Sequence, residues 1–210
     1  MSTLSPTPRT TLRRRAERGS FERSVIDAIL DEALVCHVAF VHDGQPFALP
    51  TTHVRVGETL YVHGAAKGRL LGSVAGSPAC VTITLLDGLV LGRSAMHHSM
   101  NYRSVVILAT GREVTDRDEK LAALTALVEH VVPGRSREVR APSEAELAAT
   151  RVVAFPIDEA SAKVRTGPPV DAEGDYALEC WAGVVPMRLT RGEPVPDPRL
   201  HPDAAPPPAW

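Results

Sequence analysis

Aromatic residues are scarce. Phe, Trp and Tyr together make up 4% of the chain, so the core has to be aliphatic, drawn from the Val, Leu, Ile and Ala that dominate the 44% hydrophobic fraction. Cysteine is scarcer still. Cys36, Cys80 and Cys180 are far apart and form no C-x-x-C pair, which excludes a zinc ribbon and a thioredoxin-type motif. Their apolar surroundings point to three buried, reduced thiols, as in a cytoplasmic protein. There is no excess of either charge: the formal net charge is −2, which argues against a dedicated nucleic-acid binder. No apolar run approaches the ~20 residues of a membrane span. Arg13, Arg14 and Arg15 could open a twin-arginine signal. The apolar stretch such a signal needs is replaced by Ala16-Glu17-Arg18-Gly19-Ser20, so no export signal is expected.

What is present fits one domain of ordinary size with appendages. Residues 1–18 read as a mobile, Arg-rich arm, 19–191 as the domain, and 192–210 as an extended proline-rich tail that includes Pro206 to Pro208. Val25, Ile26, Ile29, Leu30 and Ala33 have helical spacing after a possible cap at Ser20. Two extended runs flank Asp43-Gly44, and a third follows Gly57-Glu58, which predicts a three-stranded meander. A helix is expected over Ala65 to Ala75. Ala79 to Leu91 is one long strand or two broken at Asp87-Gly88, and Tyr102 to Val114 is another. Asp116 to Val132 is the clearest helix, capped by Asp116, with Leu121, Leu124, Leu127, Val128 and Val131 on one face. A capping-box pattern, Ser143 with Glu146, opens a further helix. Strands are expected at Arg151 to Ile157, Ala162 to Arg165 and Val184 to Leu189. Sequential strands joined by tight turns imply a mainly β, antiparallel sheet or barrel with flanking helices.

Four segments could carry chemistry. His63-Gly64-Ala65-Ala66-Lys67-Gly68-Arg69-Leu70 lies where a strand turns into a helix. Small residues there let an anion approach the backbone, and Lys67 and Arg69 supply charge and donors for a terminal phosphate. In Leu49-Pro50-Thr51-Thr52-His53, Pro50 marks an irregular or edge position that could expose backbone groups to a planar heterocycle. His97-His98-Ser99-Met100-Asn101-Tyr102-Arg103 is a dense polar cluster. Adjacent histidines in extended chain point to opposite sides, so a flat ligand bonded by Ser99, Asn101 and Tyr102 suits it better than a metal. Lys163 and Arg165 share one strand face, with Trp181 beyond an acidic loop. Each segment is also compatible with an ordinary solvated turn or strand end. There is no G-x-S-x-G elbow and no paired carboxylates in an apolar setting.

The succession of a helix, the strand with His37, Pro50-Thr51-Thr52, His63-Gly64 with Lys67 and Arg69, and Asn101-Tyr102-Arg103-Ser104-Val105 resembles the pyridoxamine 5′-phosphate oxidase-related flavin-binding family. Lys163 to Pro169 and Trp181-Ala182-Gly183-Val184 resemble its flavin-nucleotide-binding and 5-nitroimidazole reductase-like branch. The resemblance implies a six-stranded antiparallel split barrel that forms a homodimer with FMN in the cleft between subunits. It would place Lys67 and Arg69, followed by Leu70, at the FMN phosphate, and His63 and Gly64 near the ribityl chain. Pro50, Thr51 and Thr52 would lie at the ring edge, with His98, Ser99, Asn101 and Tyr102 on the other side. Lys163, Arg165 and Trp181 would come from the second subunit. The basic and aromatic C-terminal signature of true oxidases does not follow Arg188-Leu189, which argues against a vitamin B6 substrate.

The function expected is a cytoplasmic flavoprotein moving electrons to or from a small-molecule substrate or electron donor, with His98 the best candidate if a proton donor is needed. No membrane or nucleic-acid partner is expected. The alternatives are a non-enzymatic flavin carrier or sensor, and a haem-binding protein of the same fold with His53 or His98 as axial ligand.

Overall fold

The computed structural model describes residues 2–204. The first elements are β1 (Gly19–Ser20) and α1 (Arg23–Glu32). Ser20, expected as the helix cap, lies in β1 instead, where its hydroxyl accepts the Glu22 N–H at 3.2 Å. A meander follows: β2 (Val35–His42), β3 (Gln45–Val56) and β4 (Thr59–Ala65). Asp43 and Gly44 both have positive φ, the geometry of a tight hairpin turn that matches strand twist. The helix expected over Ala65 to Ala75 shrinks to α2 (Arg69–Val74). The Gly68 N–H bonds the Ala65 carbonyl and the Ala66 N–H bonds Ala149, so the chain before Arg69 is held as a turn.

β5 (Pro78–Leu91) is a single strand, with a register shift between Leu86 and Gly88 where a break was conceivable. It pairs with β6 (Ser99–Thr110), which begins three residues earlier than expected. β7 (Arg112–Glu113) continues the same chain direction past Gly111. Next come α3 (Arg117–Val131), α4 (Glu144–Ala149), β8 (Thr150–Pro156), β9 (Ala160–Arg165) and β10 (Gly183–Pro186). Asp116 caps α3 by accepting the Glu119 N–H, and Ser143 with Glu146 forms the full capping box on α4.

The sheet order is β1-β9-β6-β5-β2-β3-β4-β8-β7, with β10 on β5. All the strand pairs are antiparallel. Because β7 prolongs β6 and pairs with β8, one run of chain touches both sides of the sheet and curls it into a split barrel. Seven strands of six residues or more build it. Three short ones extend the edges, hence ten strands where six were expected. Gly111 sits at the closure: a Cβ there would lie 2.4 Å from the Val74 carbonyl oxygen and 2.9 Å from Val153.

Strand alternation fills the interior with Cys36, Val38 and Phe40 of β2, Leu60 and Val62 of β4, and Val81 and Ile83 of β5. Val105 and Ile107 of β6 and Val153 and Phe155 of β8 complete it, and α1 contributes Ile26, Ile29 and Leu30. Each fully buried aliphatic side chain is worth about 1.5–3 kcal/mol. β8 is buried on both faces. Its other side, Val152 and Ala154, packs with Val114 and Ala123 under α3. Of α3 only Ala123 is fully buried, so the apolar face expected to be core is half covered.

Two further expectations change. Cys36 is buried, but Cys80 is half-buried and Cys180 exposed. Within the arm, Thr10 is buried, Thr3 bridges Glu22, and Thr7 and Arg9 both bond the Glu159 carboxylate. The tail from 192 to 204 has no helix or strand, and Pro206 to Pro208 lie outside the described residues.

Candidate functional site

The residues singled out in the sequence fall into two groups. The first surrounds the β4–α2 turn. Lys67 is exposed and makes no ion pair among the described residues. The Arg69 guanidinium lies over the Phe47 ring at 5.1 Å, which fixes it above the start of β3. Leu70 is half-buried against the core. A third cation joins them that sequence spacing did not show. Arg151 of β8 pairs in register with Gly64, and its Nη1 would lie 3.2 Å from a Cβ on Gly72. The bare glycine makes room for it, while its Nε donates to Glu113 at 3.0 Å. Further up β3, Pro50 pairs with His37, Thr51 with Cys36 and Thr52 with Val35. Pro50 is exposed and the two threonines half-buried. The turn therefore carries Lys67 and Arg69 with Arg151 beside it, and the Thr51 and Thr52 hydroxyls of β3 make no side-chain hydrogen bond among the described residues.

The second group is at the other end of the sheet, on β6 and β9. Asn101 and Arg165 are buried and hydrogen-bonded to each other. The Asn101 amide donates to the Gly167 carbonyl at 3.2 Å, and Arg165 donates to the Gly167 and Pro168 carbonyls at 3.2 Å each. Burial, and then the neighbouring Arg18 charge, pull the Arg165 pKa down. Among the described residues it has no carboxylate partner, and Lys163 lies on the same strand two positions away. Tyr102 pairs with Arg165 and is half-buried. Ser99 and His98 are exposed, and His98 Nδ1 lies 3.0 Å from the Ser94 carbonyl. Trp181 is 66% exposed and rests on Gly183. Arg103, the most prominent cation of the polar cluster, is not available to a ligand. It ties Glu32 of α1 to Asp87 of β5, and those hydrogen bonds raise its pKa.

β5 and β2 stand between these two groups in the sheet, and the second group lies at the Ser99 end of β6, away from the Thr110 end where β7 meets β8, so one protomer does not bring them together.

His63 departs from its group. On β4, Leu60 and Val62 point into the barrel while Tyr61 and His63 face α3. Tyr61 donates to Glu119 at 3.0 Å. His63 instead lines a cavity of about 680 Å³ whose walls include Leu121, Leu124, Leu127, Val128 and Val139, with Arg140 at its edge. Its Nδ1 is buried without a hydrogen-bond partner, and burial lowers its pKa. These leucines were legible as a helix face, but only the packing shows that the face is open. Of the histidines considered as axial ligands, His53 is fully buried, with Nε2 3.1 Å from the Leu30 carbonyl, and His98 lies on the surface.

Residues 22–164 match the family model described as pyridoxamine 5′-phosphate oxidase. Two solved structures are similar over nearly the whole chain. The flavocytochrome Anf3 from Azotobacter vinelandii is 39% identical, covering 97% of this chain and 95% of its own, with a TM-score of 0.92. The FAD and heme binding protein from Mycobacterium smegmatis is 39% identical, covering 91% and 94%, with a TM-score of 0.87. No match is found among curated proteins. With the family model spanning well over half of its length and these two relatives aligned almost end to end, the chain belongs to the pyridoxamine 5′-phosphate oxidase family.

Proposed function

We propose that the protein is a cytoplasmic, homodimeric flavoprotein that exchanges electrons with a small molecule and carries haem as a second redox group. The observation that carries the flavin reading is the division of the candidate residues into two halves that one protomer keeps apart. A second copy would present its β6–β9 end, with Lys163, Arg165 and Trp181, to the β3–β4–α2 end of the first.

The first half suits the flavin's phosphate and ring edge. Lys67 and Arg69 are cations on a turn of small residues, with Arg151 of β8 beside it, and Thr51 and Thr52 offer hydroxyls along β3. When bound, the flavin supplies the hydride and one-electron chemistry, and the chain binds, orients and tunes it. The relatives favour FAD over the FMN expected from sequence, since the one from Mycobacterium smegmatis is described as binding FAD and heme. An Arg165 buried with no carboxylate partner among the described residues suits the longer, doubly charged diphosphate of FAD. The haem half follows from the same two relatives, one a flavocytochrome and the other a heme binding protein.

The test is the absorption spectrum of the purified full chain, chromatographic identification of the released flavin, and sedimentation for the dimer. Lys67→Ala with Arg69→Ala should weaken flavin binding about tenfold or more per residue, since a charge-assisted hydrogen bond is worth about 1.5–3 kcal/mol. Flavin binding unchanged by the double substitution overturns the phosphate assignment. Repeated oxidation of NAD(P)H would mark an enzyme, and its absence a carrier.

A further inference from the structure

We propose that the arginine run of the arm, Arg13 to Arg18, is the docking surface for a small acidic protein that delivers single electrons to the flavin. This rests on the flavin half of the proposed function, and the closing experiment separates the two.

The first observation is charge left unmatched. Many of the other arginines are answered by carboxylates, as Arg55 is by Asp31, Arg103 by Glu32 and Asp87, Arg117 by Glu144 and Arg140 by Glu146. From Thr10 to Phe21 the only acidic residue is Glu17, set against four arginines. Arg13 and Arg14 are exposed and make no hydrogen bond or ion pair among the described residues. Arg15 and Arg18 both reach Glu17, each at 4.0 Å, the outer limit of an ion pair. Lys163 on β9 also has no carboxylate partner among the described residues. A patch of one sign on a chain of net charge −2 makes a local field that steers an oppositely charged partner.

The second observation is that the run is held in place. Thr10 is buried, and Leu12 packs onto Gly19, where a Cβ would collide with it. The Arg18 N–H donates to the Arg15 carbonyl at 3.0 Å. Arg15 takes a left-handed φ of 58°, uncommon for a residue other than glycine. Gly19 and Ser20 then pair with Lys163 and Ala162. A free tail would lose conformational freedom on binding a partner, whereas this segment is already ordered.

The third observation is the position of the patch. β1 ends the sheet order, and its inner neighbour is β9. There lies the buried Arg165, on which the Arg18 charge acts and which the flavin reading sets at the diphosphate. A partner seated on the arginines is therefore beside the flavin half. The class of partner follows from the same surface. A net charge of −2 disfavours a long polyanion such as a nucleic acid. A nicotinamide nucleotide needs a cleft, whereas Arg13, Arg14 and Arg15 are exposed. Electron-transfer proteins dock through small faces, often below ~1,200 Å² in total, and rely on charge for encounter. Each visit transfers one electron. Two oxidised carriers therefore leave for every two-electron reduction, with the protons taken from solvent.

The experiment titrates the full chain with a plant-type ferredoxin, an acidic one-electron carrier, by calorimetry. It then follows bleaching of the flavin band by the reduced ferredoxin. Binding is expected in dilute buffer and should weaken about tenfold or more between ~20 and ~200 mM salt. Arg13→Glu with Arg14→Glu and Arg15→Glu should weaken it about tenfold or more at low salt and slow the bleaching by a similar factor. Flavin content and thermal midpoint should stay unchanged. The corresponding triple lysine variant keeps the charge and should bind like the wild type. Wild type that does not bind ferredoxin, or binding indifferent to the glutamate variant, overturns the docking surface whatever the flavin content. An equal loss in the lysine variant overturns recognition by charge. Duplex DNA bound more tightly than ferredoxin at the same salt overturns the class of partner, as does bleaching by NADPH that depends on the same arginines. A chain without flavin that still binds ferredoxin through these arginines keeps the docking surface and removes the flavin reading alone.

Discussion

Replacing His53 with glutamine should flatten the acid side of the stability profile. His53 is fully buried, and its Nε2 donates to the Leu30 carbonyl at 3.1 Å. Nδ1 therefore carries no hydrogen and has no partner among the described residues. A second proton would have no acceptor, would sit in an aliphatic core, and would lie beside the His130 ring, whose centroid is 5.6 Å away. Burial is the main cause that lowers the pKa from 6.5 to about 4. The His130 charge acts in the same direction, and the Leu30 bond and Asp31 act against it. Between these two values the unfolded chain binds a proton that the folded chain refuses, so stability falls as the pH drops through that window. Above the unfolded value neither state is protonated and the contribution is constant. At ~1.4 kcal/mol per pH unit, the loss by pH 4 is about 3 kcal/mol. Glutamine can keep the bond to Leu30 but cannot titrate. Urea unfolding at several pH values from 4 to 7.5 should therefore give a wild-type curve that drops more steeply than the variant's. Carboxylates lowered by arginine partners, such as Glu32 and Glu119, titrate alike in both proteins and cancel in the difference. Parallel curves would refute the reasoning.

Three further outcomes follow from the packing. Gly111→Val should cost about 3 kcal/mol or more, because the new side chain meets the Val74 carbonyl and Val153 at the barrel closure; a thermal midpoint like the wild type's would show that the closure yields. Ser143→Ala removes one half of the α4 capping box and should cost about 1 kcal/mol, read from the urea midpoint and from faster amide exchange over Glu144–Ala149. Arg103→Met breaks the tie between Glu32 and Asp87. It should cost about 1 kcal/mol at low salt, with the difference from wild type shrinking in high salt, since the site is partly solvated. A difference independent of salt would point to packing instead.

The sequence by itself determined the local elements of this protein and its family. The aliphatic alternation of β2, the Asp43-Gly44 turn and the caps at Asp116 and Ser143 depend on residues within a few positions of one another, and all are readable without a fold. The shortening of α2 was not, because the turn before it is fixed by a bond from Ala66 to Ala149, far along the chain. The same holds for the site. Lys67 and Arg69 stand out locally, but Arg151 joins them only through the register that sets it opposite Gly64. His63 reads as part of a phosphate-binding turn, yet the pleat of β4 sends it to the opposite face, under α3. The helical pattern of α3 marks its leucines as a face to be buried. Whether such a face meets another side chain or a cavity depends on what the sheet presents to it, and only long-range strand pairing decides that.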